Sequence, residues 1–547
     1  MRNGDKENFF GPVVGIQPVE QPLIVRRLDQ SNGQPVILTI SLQGVTNLPH
    51  VVTAQLNGFY VGQIVFQSQE LKETNFSVPQ ALVRDGQNQI SLLSQGGPAD
   101  ISLVDYVQFR YRHVFTADGD SLRFSVSAQQ AITIDGFSSN AIEVFDVTEP
   151  FSVQQLTGEI VKEEQGGYAV SLNVPGTGER TLLALTPNRA QPAVKLTADN
   201  PSSWRNPSRG ADLVIITTRD LSDAALPLKK IREDEGLSVA IVDVEDIFDE
   251  FSFGQKTPQA IRDFLLFAKN KWKKPISYAL LFGDASFDPK NYLGLGNADI
   301  VPTKLVDTLF METASDDWLA DFNSDGVADL AVGRLPARDA VEAQLMIDKI
   351  TSYQRTRPAD EALLVSDVND GYDFEAASES LVALVPGYLR VTRINRGQLG
   401  DQATRTALID AINRGERIVN YIGHGGVDLW RGGVFNSTDA SKLENRERLP
   451  VFVAMNCLNG YFQDPALDSL AEALLKSPAG GAVAVWASSA ITFPDGQGPM
   501  NQEFYRQVFA IPNSRLGDAA VRAKAATFDL DARRTWILLG DPTMRMR

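Results

Sequence analysis

Cysteine is all but absent: Cys457 is the only one in 547 residues. A single thiol excludes an internal disulfide and any multi-cysteine zinc site. Histidine is nearly as scarce, with three scattered copies, too few for a histidine-rich metal cluster. No run reaches the ~18–20 apolar residues that a membrane span needs. The start, Met1-Arg-Asn-Gly-Asp-Lys-Glu-Asn, is polar and lacks the apolar core of a secretory signal. The expectation is a protein that stays inside or a piece of a longer exported chain. Basic residues are the minority sign, 51 Lys and Arg against 68 Asp and Glu, for a net charge of −17. That balance argues against a nonspecific grip on nucleic acid or anionic membrane. The acidity is spread along the chain, as plain solubility requires; a cationic substrate or bound Ca²⁺ is the sharper alternative. Gly283, Gly294 and Gly296 form no phosphate-binding pattern ahead of a helix, so no organic cofactor is expected.

What is present divides into two rhythms. Val36-Ile-Leu-Thr-Ile-Ser-Leu42 and Ser121-Leu-Arg-Phe-Ser-Val-Ser127 alternate apolar and polar residues, as half-buried strands do. Turn signals at Asp85-Gly86, Asp118-Gly119 and Gly166-Gly167 separate such runs at short intervals, which favours antiparallel sandwiches. After an N-terminal segment at 1–20, this reading places a β-sandwich over 21–127, a smaller β unit over 130–198 and a linker over 199–210. From Ala211 strands and helices alternate. Leu213-Val-Ile-Ile-Thr217, 238–242, Tyr278-Ala-Leu-Leu-Phe282, 328–332, 362–366, 389–394 and 481–487 read as strands, with helices from Thr257-Pro258 and over 338–355, 374–385 and 401–414. Such alternation predicts a doubly wound, mainly parallel α/β sheet over 211–547.

Two apolar runs in that second part stop at chemically active residues. Arg417-Ile-Val-Asn-Tyr-Ile-Gly-His-Gly-Gly426 places His424 just past one strand, and Val451-Phe-Val-Ala-Met-Asn-Cys-Leu-Asn-Gly460 places Cys457 just past another. Open parallel sheets bind ligands beyond the carboxyl ends of their strands. A helix over about 438–446 would serve as the crossover that makes the two strands parallel neighbours. Adjacent strands lie about 4.8 Å apart, so the end residues can meet. The pairing suggests a cysteine nucleophile and a histidine base, with Gly425 and Cys457 supplying backbone N–H groups to an oxyanion. Taken singly, a lone Cys closing a strand is more often an inert core residue, and a lone His between glycines a turn residue; their matched placement favours chemistry. His50 and His113 lack an evident Cys or acidic partner and read as structural.

Asn420-Tyr-Ile-Gly-His-Gly-Gly426 and Ala454-Met-Asn-Cys-Leu-Asn-Gly460 resemble the gingipain family of cysteine peptidases, which have a caspase-like fold. Tyr278-Ala-Leu-Leu-Phe-Gly-Asp284, Ala331-Val-Gly-Arg-Leu335 and Leu539-Gly-Asp-Pro542 add to the likeness, which covers about 211–547. Residues 1–200 resemble, more loosely, the β-rich regions that precede this domain in bacterial relatives. The resemblance implies peptide hydrolysis of a polypeptide substrate, with His424 as base and Cys457 as nucleophile. It also implies an aspartate at the foot of the primary specificity pocket, a position Asp373 fits; Asp373 equally suits an N-cap for a helix beginning at Phe374. An acidic residue that orients the imidazole falls on Asp367 or Asp370, with Asp367 preferred. An extracellular or cell-surface location is implied as well, against the missing signal. Two other readings stay open: a binding or adhesion protein whose sandwich grips a protein or glycan ligand over an inert scaffold, and transpeptidation by the same dyad.

Asp321-Phe-Asn-Ser-Asp-Gly-Val-Ala-Asp329 sets oxygen ligands at Asp321, Asn323, Asp325 and Asp329, with the Val327 carbonyl between. This suits a structural Ca²⁺. Val332 stands where an EF-hand would carry glutamate, and an Asx-rich turn explains the loop equally well.

Overall fold

The computed structural model describes residues 9–31, 33–192, 198–199, 201–296, 298–356 and 359–547. The polar start over 1–8 and the end of the expected small β unit at 193–197 lie outside the described residues. The chain divides into two compact units, with the boundary between 199 and 200. No described helix is long and apolar enough to cross a membrane.

The first unit is all β. One four-stranded sheet runs in the order Val13–Val14, Ser102–Arg110, Val36–Gly44, Leu71–Val78, and another in the order Val19–Val25, Gly86–Ser94, Pro49–Leu56, Phe59–Gln67. Alternate residues such as Leu38, Ile40, Val52, Ala54, Ile90 and Leu92 point into one core, the inward half of the period-two pattern. The sandwich begins earlier than expected, because Val14 is fully buried in it. It also ends earlier. Ser121–Ser127, expected to close it, pairs antiparallel with Glu179–Leu185 over seven positions and belongs to the second β module. Alternation identifies a strand but does not name its partner.

The second unit is built on ten strands. In chain order they are β1 (Leu213–Thr217), β2 (Val239–Asp243), β3 (Tyr278–Phe282), β4 (Ala331–Leu335), β5 (Glu361–Ser366), β6 (Arg390–Asn395), β7 (Ile418–Ile422), β8 (Val451–Met455), β9 (Ala484–Ser488) and β10 (Trp536–Leu539). Their order across the sheet is β2-β1-β3-β4-β10-β9-β8-β7-β5-β6. Every pair is parallel except β9–β10. The sheet is therefore two blocks of opposite direction, and the carboxyl ends of β5 to β9 share one edge. Strands such as β7 and β8 are buried at every residue, as helices on both faces of a parallel sheet require.

Local signals set several elements. The Thr257 side chain accepts from the Ala260 N–H, and Pro258 opens the helix Pro258–Lys271. Two expectations shift. β4 starts at Ala331, not 328, because Asp329 is still tied back to the Ala320 carbonyl. The crossover between β7 and β8 holds a 3-10 turn at Arg431–Gly433 and the short α-helix Ser437–Ala440; the backbone reaches a left-handed conformation at Arg446, φ 53°, which no helix continues through. The two strands are parallel neighbours nonetheless, in register from Ile418 with Val451 to Ile422 with Met455.

Candidate active site

That register builds the site. Ile422 faces Met455, and the Gly423 N–H donates to the Met455 carbonyl at 3.2 Å. His424 and Cys457 each follow two residues after a paired position, so two loops leave the sheet edge side by side. They touch: a Cβ on Gly425 would stand 2.2 Å from Asn456 Nδ2 and 3.1 Å from the Cys457 carbonyl. Only glycine lets the two backbones approach this closely.

Cys457 is partly exposed, open to a substrate rather than sealed in the core. Its thiol donates to the Thr492 carbonyl at 3.6 Å, and burial pushes the thiol above its ordinary range. His424 has its side chain 48% exposed, with Nε2 3.2 Å from Asp370 Oδ2. Phe374 meets the ring edge-on at 5.3 Å between centroids. In this arrangement the thiol and the imidazole each bond a third group rather than one another.

The carboxylate on the imidazole is Asp370, and the preference for Asp367 is corrected here. Asp367 is fully buried just past β5. It accepts the backbone N–H of His424 at 3.1 Å and of Val368 at 2.7 Å, and pairs with Arg396 at 2.6 Å. It fixes the histidine's peptide, not its ring. Asp370, three residues further out, reaches the ring and is also bonded by Arg431. The Arg431 hydrogen bond first, and then that of His424, hold the Asp370 carboxyl below the usual carboxylate range.

The backbone N–H groups of Gly425 and Cys457 find no protein acceptor among the described residues. Donors left over at adjoining loops are what an oxyanion requires. Beside them opens a cavity of about 380 Å³, lined by Asp373, Tyr372, Ile422, Met455, Gln497 and Asn501 among others. Asp373 is exposed rather than buried. Its Oδ1 caps the helix Phe374–Glu379 through the Ala376 N–H at 2.9 Å and accepts from Asn369 at 2.8 Å. Its Oδ2 keeps no protein partner among the described residues. Capping and pocket lining thus fall on one side chain.

The acidic loop is self-satisfied. Asp321 accepts the N–H groups of Asp325 and Gly326, Asp325 that of Val327, and Asp329 that of Phe322. These are the local bonds of Asx turns. Among the described residues no group of three or more His, Cys, Asp or Glu is arranged to hold a metal. The other histidines do have acidic partners, contrary to the sequence reading: His50 with Asp100 in the sandwich, His113 with Asp118. Sequence reasoning also missed Arg431, Thr492 and the amides of Asn456 and Asn459. The two asparagines flanking Cys457 were the available signal, since amides at the end of a buried strand need partners.

The fold and the site together define a class of wound α/β proteins with a thiol and an imidazole at adjoining strand ends. The model of peptidase family C25 matches residues 206–547, more than half of the chain, and the chain belongs to that family. Gingipain R2 of Porphyromonas gingivalis is 24% identical over 340 residues, 58% of this chain and 43% of its own length. An uncharacterized protein of Archaeoglobus fulgidus is 24% identical over 370 residues, 56% of this chain and 85% of its own. The match thus spans under half the length of gingipain R2. Among solved structures, the Arg-specific cysteine proteinase gingipain R aligns with a TM-score of 0.51 at 23% identity, covering 62% of this chain and 80% of that one. Dimeric latent PorU from Porphyromonas gingivalis aligns with a TM-score of 0.56 at 15% identity, over 98% of this chain and 50% of that one. At such identities these two speak for the fold alone.

Proposed function

We propose that the chain is a cysteine endopeptidase with Cys457 as nucleophile and His424 as general base. The observation that carries this reading is the shared register of β7 and β8, which sets an exposed imidazole and an accessible thiol on touching loops. The thiol leaves the Thr492 carbonyl and gives its proton to His424. The thiolate attacks the scissile carbonyl, and the imidazolium returns the proton to the leaving amine. Asp370 holds the ring through Nε2. The N–H groups of Gly425 and Cys457 receive the oxyanion; losing one such donor costs about 3 kcal/mol of transition-state stabilisation. Water then releases the acyl group.

Specificity for a basic residue before the scissile bond belongs to the same proposal. It is supported by the free Asp373 Oδ2 at a cavity whose other named walls are uncharged. An extracellular or cell-surface place of action follows the relatives and is likewise proposed. So is a structural Ca²⁺ on the 321–329 loop, for which equal ⁴⁵Ca binding by wild type and Asp325→Ala would end the case.

The test is a fluorogenic peptide library on wild type, Cys457→Ala and Asp373→Ala, with a nucleophilic amine added in a parallel arm. Expected are cleavage after Arg or Lys, none by Cys457→Ala, and a loss of about 10- to 100-fold in kcat/KM for basic substrates with Asp373→Ala. Cleavage that persists in Cys457→Ala refutes the mechanism. An amine adduct as the main product makes the enzyme a transpeptidase.

A further inference from the structure

We propose that Asn459 is a positioning residue: its carboxamide clamps the loop of His424 and Gly425 onto the loop of Cys457. The proposal rests on the peptidase reading above. Asn459 is 1% exposed, and both ends of its amide are spent. Oδ1 accepts from Trp430 Nε1 at 2.8 Å and from Asn456 Nδ2 at 2.6 Å. Nδ2 donates to the Gly426 carbonyl at 2.7 Å and approaches the Leu429 carbonyl at 3.4 Å. A carboxamide alone offers two donors and two acceptor sites within one planar group. Asp in its place would lose both donors and bury a charge, and an apolar residue would leave the Trp430 and Asn456 donors buried without partners.

The clamp continues beyond the amide. Trp430 is fully buried and stacks on Tyr421, rings 4.0 Å apart and 6° from parallel. The Tyr421 hydroxyl donates to the His424 carbonyl at 2.8 Å, and the Arg431 N–H donates to the same oxygen at 2.9 Å. Asn459 is therefore joined, through one indole and one phenol, to the peptide of the base. On its other side it is two residues from the nucleophile, and its own N–H donates to the Cys457 carbonyl at 2.9 Å.

Between them Leu458 has φ 65°. A leucine persists in left-handed backbone only where its surroundings over-determine it. The Leu458 N–H is held by the Ala490 carbonyl at 3.1 Å, and the Asn459 amide fixes the following residue. The strained turn and the clamp are one device, and its product is the placement of two free N–H groups, those of Gly425 and Cys457. Oxyanion donors act over a window of about 2.7–3.1 Å, and a misplacement of 1 Å can cost about 100-fold in rate.

Two variants test this, each normalised to sites titrated by a peptidyl chloromethyl ketone. Trp430→Phe keeps an aromatic ring over Tyr421 and removes the indole donor, with some loss of buried volume; Asn459→Asp keeps the shape and removes the amide donors. The expected result is a fall in kcat of roughly tenfold for Trp430→Phe and roughly 100-fold for Asn459→Asp, with KM within about threefold of wild type. Wild-type kcat per titrated site in Trp430→Phe, with only the melting temperature lowered, overturns the proposal, and this variant decides alone if Asn459→Asp does not fold. Wild type that neither labels at Cys457 nor cleaves peptide refutes the peptidase reading instead.

Discussion

At the scale of single residues, the site depends on which carboxylate meets the imidazole. Asp370→Asn removes the charge beside the imidazole while keeping a group of the same shape. Its kcat should fall about 100-fold, within the usual range for general acid–base assistance, whereas Asp370→Glu should recover part of it. Equal kcat in Asp370→Asn and wild type would take Asp370 out of the mechanism. Because Arg431 and His424 hold Asp370 below the usual carboxylate range, it stays ionised down to acid pH and contributes no step to the neutral profile. Cys457 behaves oppositely. Burial raises its pKa, so the thiolate fraction should grow as pH rises past the ordinary thiol range near ~8.5. Iodoacetamide alkylation of the free enzyme should therefore keep accelerating above pH 8. A rate already flat from pH 5 would mean that a thiolate–imidazolium pair exists without substrate, and that the bond to Thr492 is not the resting state. The two residues proposed for the dyad stood out in the sequence because each stands just past an apolar run. The choice between Asp367 and Asp370 could not be read there: three residues apart on one loop, they differ only in whether the chain turns them toward the histidine's backbone or its ring.

At the scale of elements, strands buried on both faces were read almost to the residue, β1 and β3 among them, since continuous apolar runs bounded by polar residues have few other uses. β10 escaped. It has four residues and follows the helix Leu530–Thr535 without a gap, so no turn signal sets it apart from the helix. Pairing of the β strands ahead of residue 200 escaped too, because alternation marks a face and not a partner. The structure gives a steric cause for glycine in the loops at the carboxyl ends of β7 and β8. Gly425 makes room for Asn456, whose amide would lie 2.2 Å from any Cβ. Asn456 is fully buried and cannot yield. Gly425→Ala should therefore destabilise the fold by about 1–3 kcal/mol, the usual cost of overpacking. It should also lower kcat by at least tenfold through the displaced N–H. Urea unfolding and active-site-titrated kinetics check both, and an alanine variant with unchanged stability would show that the loops are free to part.

At the scale of the whole molecule, the carboxyl ends of β5 to β9 carry the proposed site, and the amino ends of the same strands carry a charge problem. Glu416, two residues before β7, is 1% exposed, and neither carboxylate oxygen has a hydrogen-bond partner among the described residues. Burial first, and the nearby charge of Glu361 second, push its pKa to about 8 from an ordinary 4.5. A carboxyl whose pKa is raised by folding binds its proton more tightly in the native state. Its contribution to stability is complete below pH 4.5 and is lost as pH climbs through about 8. Over that interval wild type should lose stability by up to about 1.4 kcal/mol per pH unit from this group. Glu416→Gln, neutral at every pH, should show a flatter dependence and a higher melting temperature at pH 8.5. All six tryptophans lie between Trp204 and Trp536, so intrinsic fluorescence follows the α/β unit without interference from the β-rich one. Parallel curves for the two proteins from pH 5 to 8.5 would mean that water or a cation already reaches Glu416. Peptidase activity at pH 7 should be the same in both, since the substituted residue and the dyad stand at opposite ends of one strand.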